Sequence, residues 1–301
     1  MKQNEIKNSE EQNFKKVAVR VSIVSILVNI ILSLLKLIAG ILAKSGAMIS
    51  DAVHSASDVF STIIVMLGVT ISSKQSDKEH PYGHDRLECV ASILLATVLA
   101  FTGFAIGYKG FCKIIEGNYT LLEIQGILAL FAAVLSIVVK EWMYWYTKAA
   151  AKKINSGALM ADAWHHRSDA LSSIGAFIGI LGSRMGYPVL DSVASIVICL
   201  FVVKAAFDIF MDAVDKMIDK ACPEDMVKQM EKVILDCQGV LKIDDIKTRL
   251  FGAKIYVEVE IAVEATKTLV EGHDIAEIVH DTIEREFMDV KHCTVHVNPF
   301  L

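Results

Sequence analysis

Asp162-Ala-Trp-His-His-Arg-Ser-Asp169 lies early in an apolar run long enough to cross a bilayer. His165 and Asp169 are four residues apart, so a helix stacks them on one face. An imidazole and a carboxylate inside a membrane are costly, and residues kept at that cost usually carry function. The same spacing returns in Val53-His-Ser-Ala-Ser-Asp58, where His54 and Asp58 share a face of another apolar run. Two helices that each offer His and Asp at this spacing can supply four ligands to one tetrahedral metal.

The surrounding chain fits a membrane protein. Its 301 residues are 53% hydrophobic, and the mean hydropathy of +0.47 is too high for an ordinary soluble domain. Six runs reach the ~20 residues that a bilayer requires, at 18–42, 47–72, 89–114, 121–147, 158–183 and 187–211. Lys and Arg collect on one side of these runs: Lys15, Lys16 and Arg20, then Lys74, Lys78 and Arg86, then Lys148, Lys152 and Lys153, then Lys216 and Lys220. The other side has Lys44, Lys113 and Arg184. An even number of spans with that bias places both termini in the cytoplasm. Residues 1–17 read as a polar cytoplasmic tail without a signal peptide, 18–215 as a six-span domain and 216–301 as a cytoplasmic domain.

Depth is a second test of the metal reading. Span two runs inward and span five outward. Each His–Asp pair lies ~8–12 residues into its span, so at 1.5 Å per residue both pairs approach the midplane of a ~30 Å core. The bland alternative is helix-to-helix hydrogen bonding, a role that suits Ser55, Ser57, Ser168, Ser172 and Ser173. Asp51 and Asp162 are placed to support the ligands or line an entry path. His166 points about 100° away from His165 and is left out of the set.

Two further groups hold possible ligands. Asp77-Lys-Glu-His-Pro-Tyr-Gly-His84 is a turn by its Pro81 and Gly83, and it can bring Asp77, His80 and His84 together. After Pro223 the pattern becomes α-β-β-α-β, a small two-layer α+β domain with Gly252 in a hairpin turn. That domain contains Asp244, Glu258, Glu260, His273, His280, His292 and His296. Its size leaves a marginal core, which dimerisation or metal would support. The six cysteines form no C-x-x-C pair and read as reduced core residues. No basic cluster interleaved with aromatics points to nucleic acid.

Taken together, these residues resemble the cation diffusion facilitator family of metal transporters, over nearly the whole chain. The resemblance implies a homodimer whose transport site is His54, Asp58, His165 and Asp169, a pattern like that of zinc-selective members. Manganese members usually show Asn in span two, which this chain lacks. It implies metal held by Asp77, His80 and His84 in the loop. It implies metal between protomers at Asp244, Glu260, His273 and His296. Some relatives have His at the positions of Asp244 and Glu260 and Asp at that of Asn298, so binding there is expected to be weaker. Arg86 and Asp219 match an ion pair near the membrane surface that locks the dimer. The implied cargo is Zn2+, with Fe2+, Co2+, Cd2+ and Mn2+ as alternatives and protons as counter-ion. An intramembrane metallohydrolase would need an open coordination position and a base, and no H-E-x-x-H is present. A membrane-anchored metal sensor that does not transport is the other alternative.

Overall fold

The structure, a computed structural model, describes residues 2–42, 46–116, 127–184 and 189–300, with some side chains inside the helices left undescribed. It forms two units, one of Glu10–Ala213 and one of Val214–Leu301 that also takes in the start of the chain up to Ser9.

The Glu10–Ala213 unit is helical, built from α1 (Lys2–Leu42) from Glu10 on, α2 (Gly46–Ser72), α3 (Arg86–Glu116), α4 (Ile127–Lys153), α5 (Gly157–Arg184) and α6 (Val189–Met217) as far as Ala213. The helix α1 takes in most of the polar stretch expected as a tail. Its Lys, Glu and Gln residues are good helix formers, so the apolar helix continues into them. Among the described residues, Phe14–Ala39, Arg86–Glu116 and Ser192–Met217 are long and apolar enough to cross a membrane, and Asp58–Ser72 is a shorter apolar stretch.

The packing follows membrane logic. The buried core uses small and β-branched residues such as Ala18, Ala91, Ala96, Ala158, Val65 and Val202. Large apolar residues point outward instead, among them Leu34, Phe101, Phe104, Tyr108 and Leu200. In lipid nothing drives these outward residues inward, so close contact between helices decides association. Gly103, Gly107 and Gly110 carry that contact between α3 and α6. A Cβ on Gly107 would sit 2.5 Å from Cys199 Sγ, and one on Gly110 would sit 2.8 Å from Ser195 Cβ. Gly107→Leu is therefore expected to force the helices apart and destabilise the unit by about 1–3 kcal/mol or more. Thermal melting in detergent would read this as a lowered midpoint.

The second unit contains α7 (Glu224–Leu235), β1 (Lys242–Phe251), β2 (Lys254–Glu264), α8 (Leu269–Glu286) and β3 (Val290–Phe300). This is the α-β-β-α-β order expected from the sequence. The strands lie in the order β1-β2-β3, with β1 antiparallel to β2 and β2 parallel to β3. Gly252 turns the hairpin with φ +65°, a left-handed conformation that costs glycine little. Strand β2 buries Val257, Val259 and Ile261 against Met230 and Ile234 of α7 and Val279 and Ile283 of α8. Thr268 caps α8: its hydroxyl accepts from the Glu271 N–H, and the Glu271 carboxylate accepts from the Thr268 N–H. The Thr268 N–H and hydroxyl, both donating to it, hold the Glu271 carboxyl below its usual range.

Candidate metal sites

Helix α5 carries His165 and Asp169 one turn apart, and α2 carries Asp58 against them. His165 Nε2 lies 3.3 Å from Asp58 Oδ1. The ligand atoms of Asp58, His165 and Asp169 all fall within 4.8 Å of one another, and all three residues are largely shielded from solvent. His54 stands on α2 one turn before Asp58, but its side chain lies outside the described residues, as does that of Asp51.

One charged residue at this place is absent from the sequence-based expectations. The Lys140 ammonium, from α4, donates to Asp58 Oδ2 at 2.5 Å and to Asp169 Oδ2 at 2.9 Å. Lys140 is only 2% exposed. A cation thus already stands between the two carboxylates that α2 and α5 contribute. The signal was legible: Val139-Lys-Glu-Trp142 interrupts an apolar run, and an ionisable residue within such a run is a functional candidate by default.

The neighbouring polar residues make contacts of their own. Asp162 is buried and accepts a hydrogen bond from Thr62 at 3.1 Å. His166 is fully buried, with Nε2 3.6 Å from Asp162 Oδ2, and stands apart from the Asp58–His165–Asp169 cluster. Ser55 accepts from the buried Lys36 ammonium at 2.9 Å, so it does join helices, in this case α1 to α2. Ser173 bonds the Asp169 carbonyl of its own helix. Also on α5, Arg167 lies over the Tyr144 ring, its Cζ 4.3 Å from the ring centre.

The loop between α2 and α3 gathers Asp77, His80 and His84. Asp77 Oδ1 accepts from the backbone N–H groups of Glu79 and His80, at 3.1 and 2.8 Å, closing the turn. Gly83 follows with φ +91°. The fold leaves Asp77 Oδ1 3.3 Å from His80 Nδ1 and Asp77 Oδ2 3.6 Å from His84 Nε2. The Lys74 ammonium and the His80 N–H hold the Asp77 carboxyl well below its usual range, so it is ionised, as a metal ligand must be.

The four tail residues lie differently. Asn298 Nδ2 donates to Asp244 Oδ2 at 3.1 Å and to Glu260 Oε2 at 3.3 Å, joining these two carboxylates. Lys242 and Asn298 hold the Asp244 carboxyl low. His296 faces Glu260 across the parallel β2–β3 register. His273, on α8, lies 3.6 Å from Glu277 and lines a cleft with Val297 and Asn298. Among the described residues three sets of three potential ligands converge within 4.8 Å, and the tail four are not one of them: Asp58–His165–Asp169, Asp77–His80–His84 and His280–Glu284–His292.

The chain matches two known families in sequence. Residues 22–218 match the cation efflux transmembrane domain, and residues 222–300 match the cation efflux protein cytoplasmic domain. An uncharacterised transporter of Methanocaldococcus jannaschii is 40% identical over 92% of this chain and 96% of its own length. Two manganese efflux system proteins of Bacillus subtilis are also similar. MneP is 30% identical, over 95% of this chain and 97% of its own, and MneS is 33% identical, over 92% and 94%. Helices that suit a membrane, a buried site of carboxylates around a cation and both family matches agree: the chain belongs to the cation efflux family and is a multi-pass membrane transporter of metal cations.

Proposed function

We propose that this transporter moves a divalent cation, zinc first, out through the cytoplasmic membrane in exchange for protons, and that His54, Asp58, His165 and Asp169 hold it. The observation that carries the reading is the Lys140 ammonium, which already bridges Asp58 and Asp169. Two carboxylates around one ammonium leave a surplus negative charge, and a divalent ion in its place balances both. Metal and Lys140 then compete for the same oxygens. The 3.3 Å between Asp58 Oδ1 and His165 Nε2 suits two corners of a tetrahedron around zinc.

Six crossings put both termini in the cytoplasm, so the loop and tail sense metal on the side it leaves. Metal binds neutral imidazole and ionised carboxylate, so its arrival releases protons and theirs releases it. Rocking of helices around the buried site gives alternating access. The tail domain joins two protomers, Arg86 and Asp219 strengthen that dimer, and metal at Asp244, Glu260, His273 and His296 or in the loop favours one conformation.

A second cargo is favoured by the names of two relatives, MneP and MneS, which are manganese efflux proteins. Donor chemistry separates the two: imidazole nitrogen suits zinc, whereas manganese prefers oxygen ligands. Proteoliposomes supplied with zinc, manganese, iron(II), cobalt and cadmium in turn test the reading. Zinc is expected to move fastest and to drive opposite proton movement. Absence of flux for every ion would remove the proposal, and faster manganese would reassign the cargo. His54→Asp exchanges a nitrogen donor for oxygen and is expected to raise cadmium or iron(II) flux relative to zinc. An unchanged ratio would exclude His54 as the selecting ligand.

A further inference from the structure

The second half of α8 and the start of β3 bring together His280, Glu284 and His292. The Glu284 side chain is only 7% exposed, and its Oε1 accepts the Cys293 N–H at 3.1 Å, which fixes the carboxylate in place. His280 Nδ1 lies 2.6 Å from the Cys293 carbonyl oxygen. A carbonyl only accepts, so Nδ1 carries the proton and donates it. In the neutral ring Nε2 is then a bare lone pair, and it faces Glu284 Oε1 at 3.3 Å. His292 Nδ1 approaches the same oxygen from the strand, also at 3.3 Å.

A lone pair facing a carboxylate oxygen at this distance repels unless a cation lies between them. The separations identify the kind of cation. Tetrahedral zinc, with bonds of about 2.0–2.1 Å, sets its ligand atoms about 3.3–3.4 Å apart along each edge. The His280–Glu284 edge and the Glu284–His292 edge both have that length. Orientation of a ligand histidine by a backbone carbonyl, and of a ligand carboxylate by a backbone N–H, is the usual second layer around a protein-bound metal. The His292 side chain is 54% exposed, so solvent can supply a fourth ligand and the ion can enter from outside.

We propose that His280, Glu284 and His292 form a separate site for a zinc-class divalent cation, complete within one protomer, that clips the end of α8 to β3. It shares no residue with the tail set at Asp244, Glu260, His273 and His296, and it does not depend on which cargo crosses the membrane.

The test uses full-length protein in detergent, stripped with chelator and dialysed against micromolar zinc. His280→Ala/His292→Ala is expected to hold one zinc fewer per protomer than the parent. Zinc at ten times its dissociation constant should also slow carbethoxylation of His292 roughly tenfold in the parent, followed by mass spectrometry, because the bound fraction is shielded. His273→Ala/His296→Ala is expected to keep that protection, and Glu284→Gln to lose it. An unchanged zinc count in the His280/His292 double variant overturns the site. So does a His292 reactivity in the parent that zinc leaves unaltered, since an imidazolium proton then bridges the pair. If the double variant is not monodisperse, Glu284→Gln, which keeps the side-chain shape, decides by the same two readings, and a full zinc count there overturns the proposal.

Discussion

Asp169→Ala is expected to abolish metal flux while leaving a folded protein. The change removes a ligand and a negative charge together from a buried cluster that holds Asp58, His165 and Lys140. With Asp169 gone, Lys140 keeps Asp58 as its partner at 2.5 Å, so the ammonium is not stranded. A divalent ion would instead meet one carboxylate and a competing ammonium. Loss of one charged partner in such a place costs several kcal/mol of binding, about 3–5 by comparison with buried ion pairs, or roughly two to nearly four decades in affinity. Proteoliposome flux measures the first consequence, and gel filtration checks the fold. Normal flux in this variant would remove Asp169, and the buried cluster with it, from the transport path.

Lys140→Met is expected to tighten zinc binding by at least about tenfold, which is 1.4 kcal/mol, and to slow turnover. Met matches the length of Lys and packs in the same apolar surroundings, but it leaves Asp58 and Asp169 facing each other without a cation. Metal then binds without displacing an ammonium, so affinity rises. Release loses the competitor that refills the site, so the maximal rate falls while the half-saturating concentration also falls. A purely structural role for Lys140 would lower the rate without tightening binding. Binding calorimetry on purified protein and concentration-dependent flux separate these outcomes. Unchanged or weaker affinity would show that Lys140 does not compete with the ion. In that case Asp169→Ala still reports on the ligands, so the two ideas can fail separately.

Much of the tail domain was legible in the chain. Strand alternation around Gly252 and the helical spacing of Met226, Met230, Val233 and Ile234 reflect burial on one side of a layer, and that burial leaves a periodic trace in sequence. The boundaries were less legible. Strand β3 runs from Val290 to Phe300, beyond the alternating stretch His292–Val297, because pairing with β2 continues through Pro299 and Phe300 after the apolar pattern ends. Helix α1 likewise reaches into polar sequence, because helix propensity extends a helix that packing has started.

The candidate site divides along the same line. The sequence by itself determined that His165 and Asp169 share a face, and likewise His54 and Asp58, because 3.6 residues per turn is a local property of the backbone. It also determined that Asp77, His80 and His84 share one turn, since Pro81 and Gly83 act on their immediate neighbours. Only the tertiary structure decided that Lys140 joins Asp58 and Asp169, from positions 82 and 29 residues away along the chain. It alone placed His280 and Glu284 of α8 against His292 of β3, while leaving His273 beside Glu277 on another turn. Helical phase names the face a residue occupies. Which faces meet depends on how whole helices and strands pack, at Gly107 against Cys199 or β3 beside β2, and that arrangement is a property of the chain as a whole.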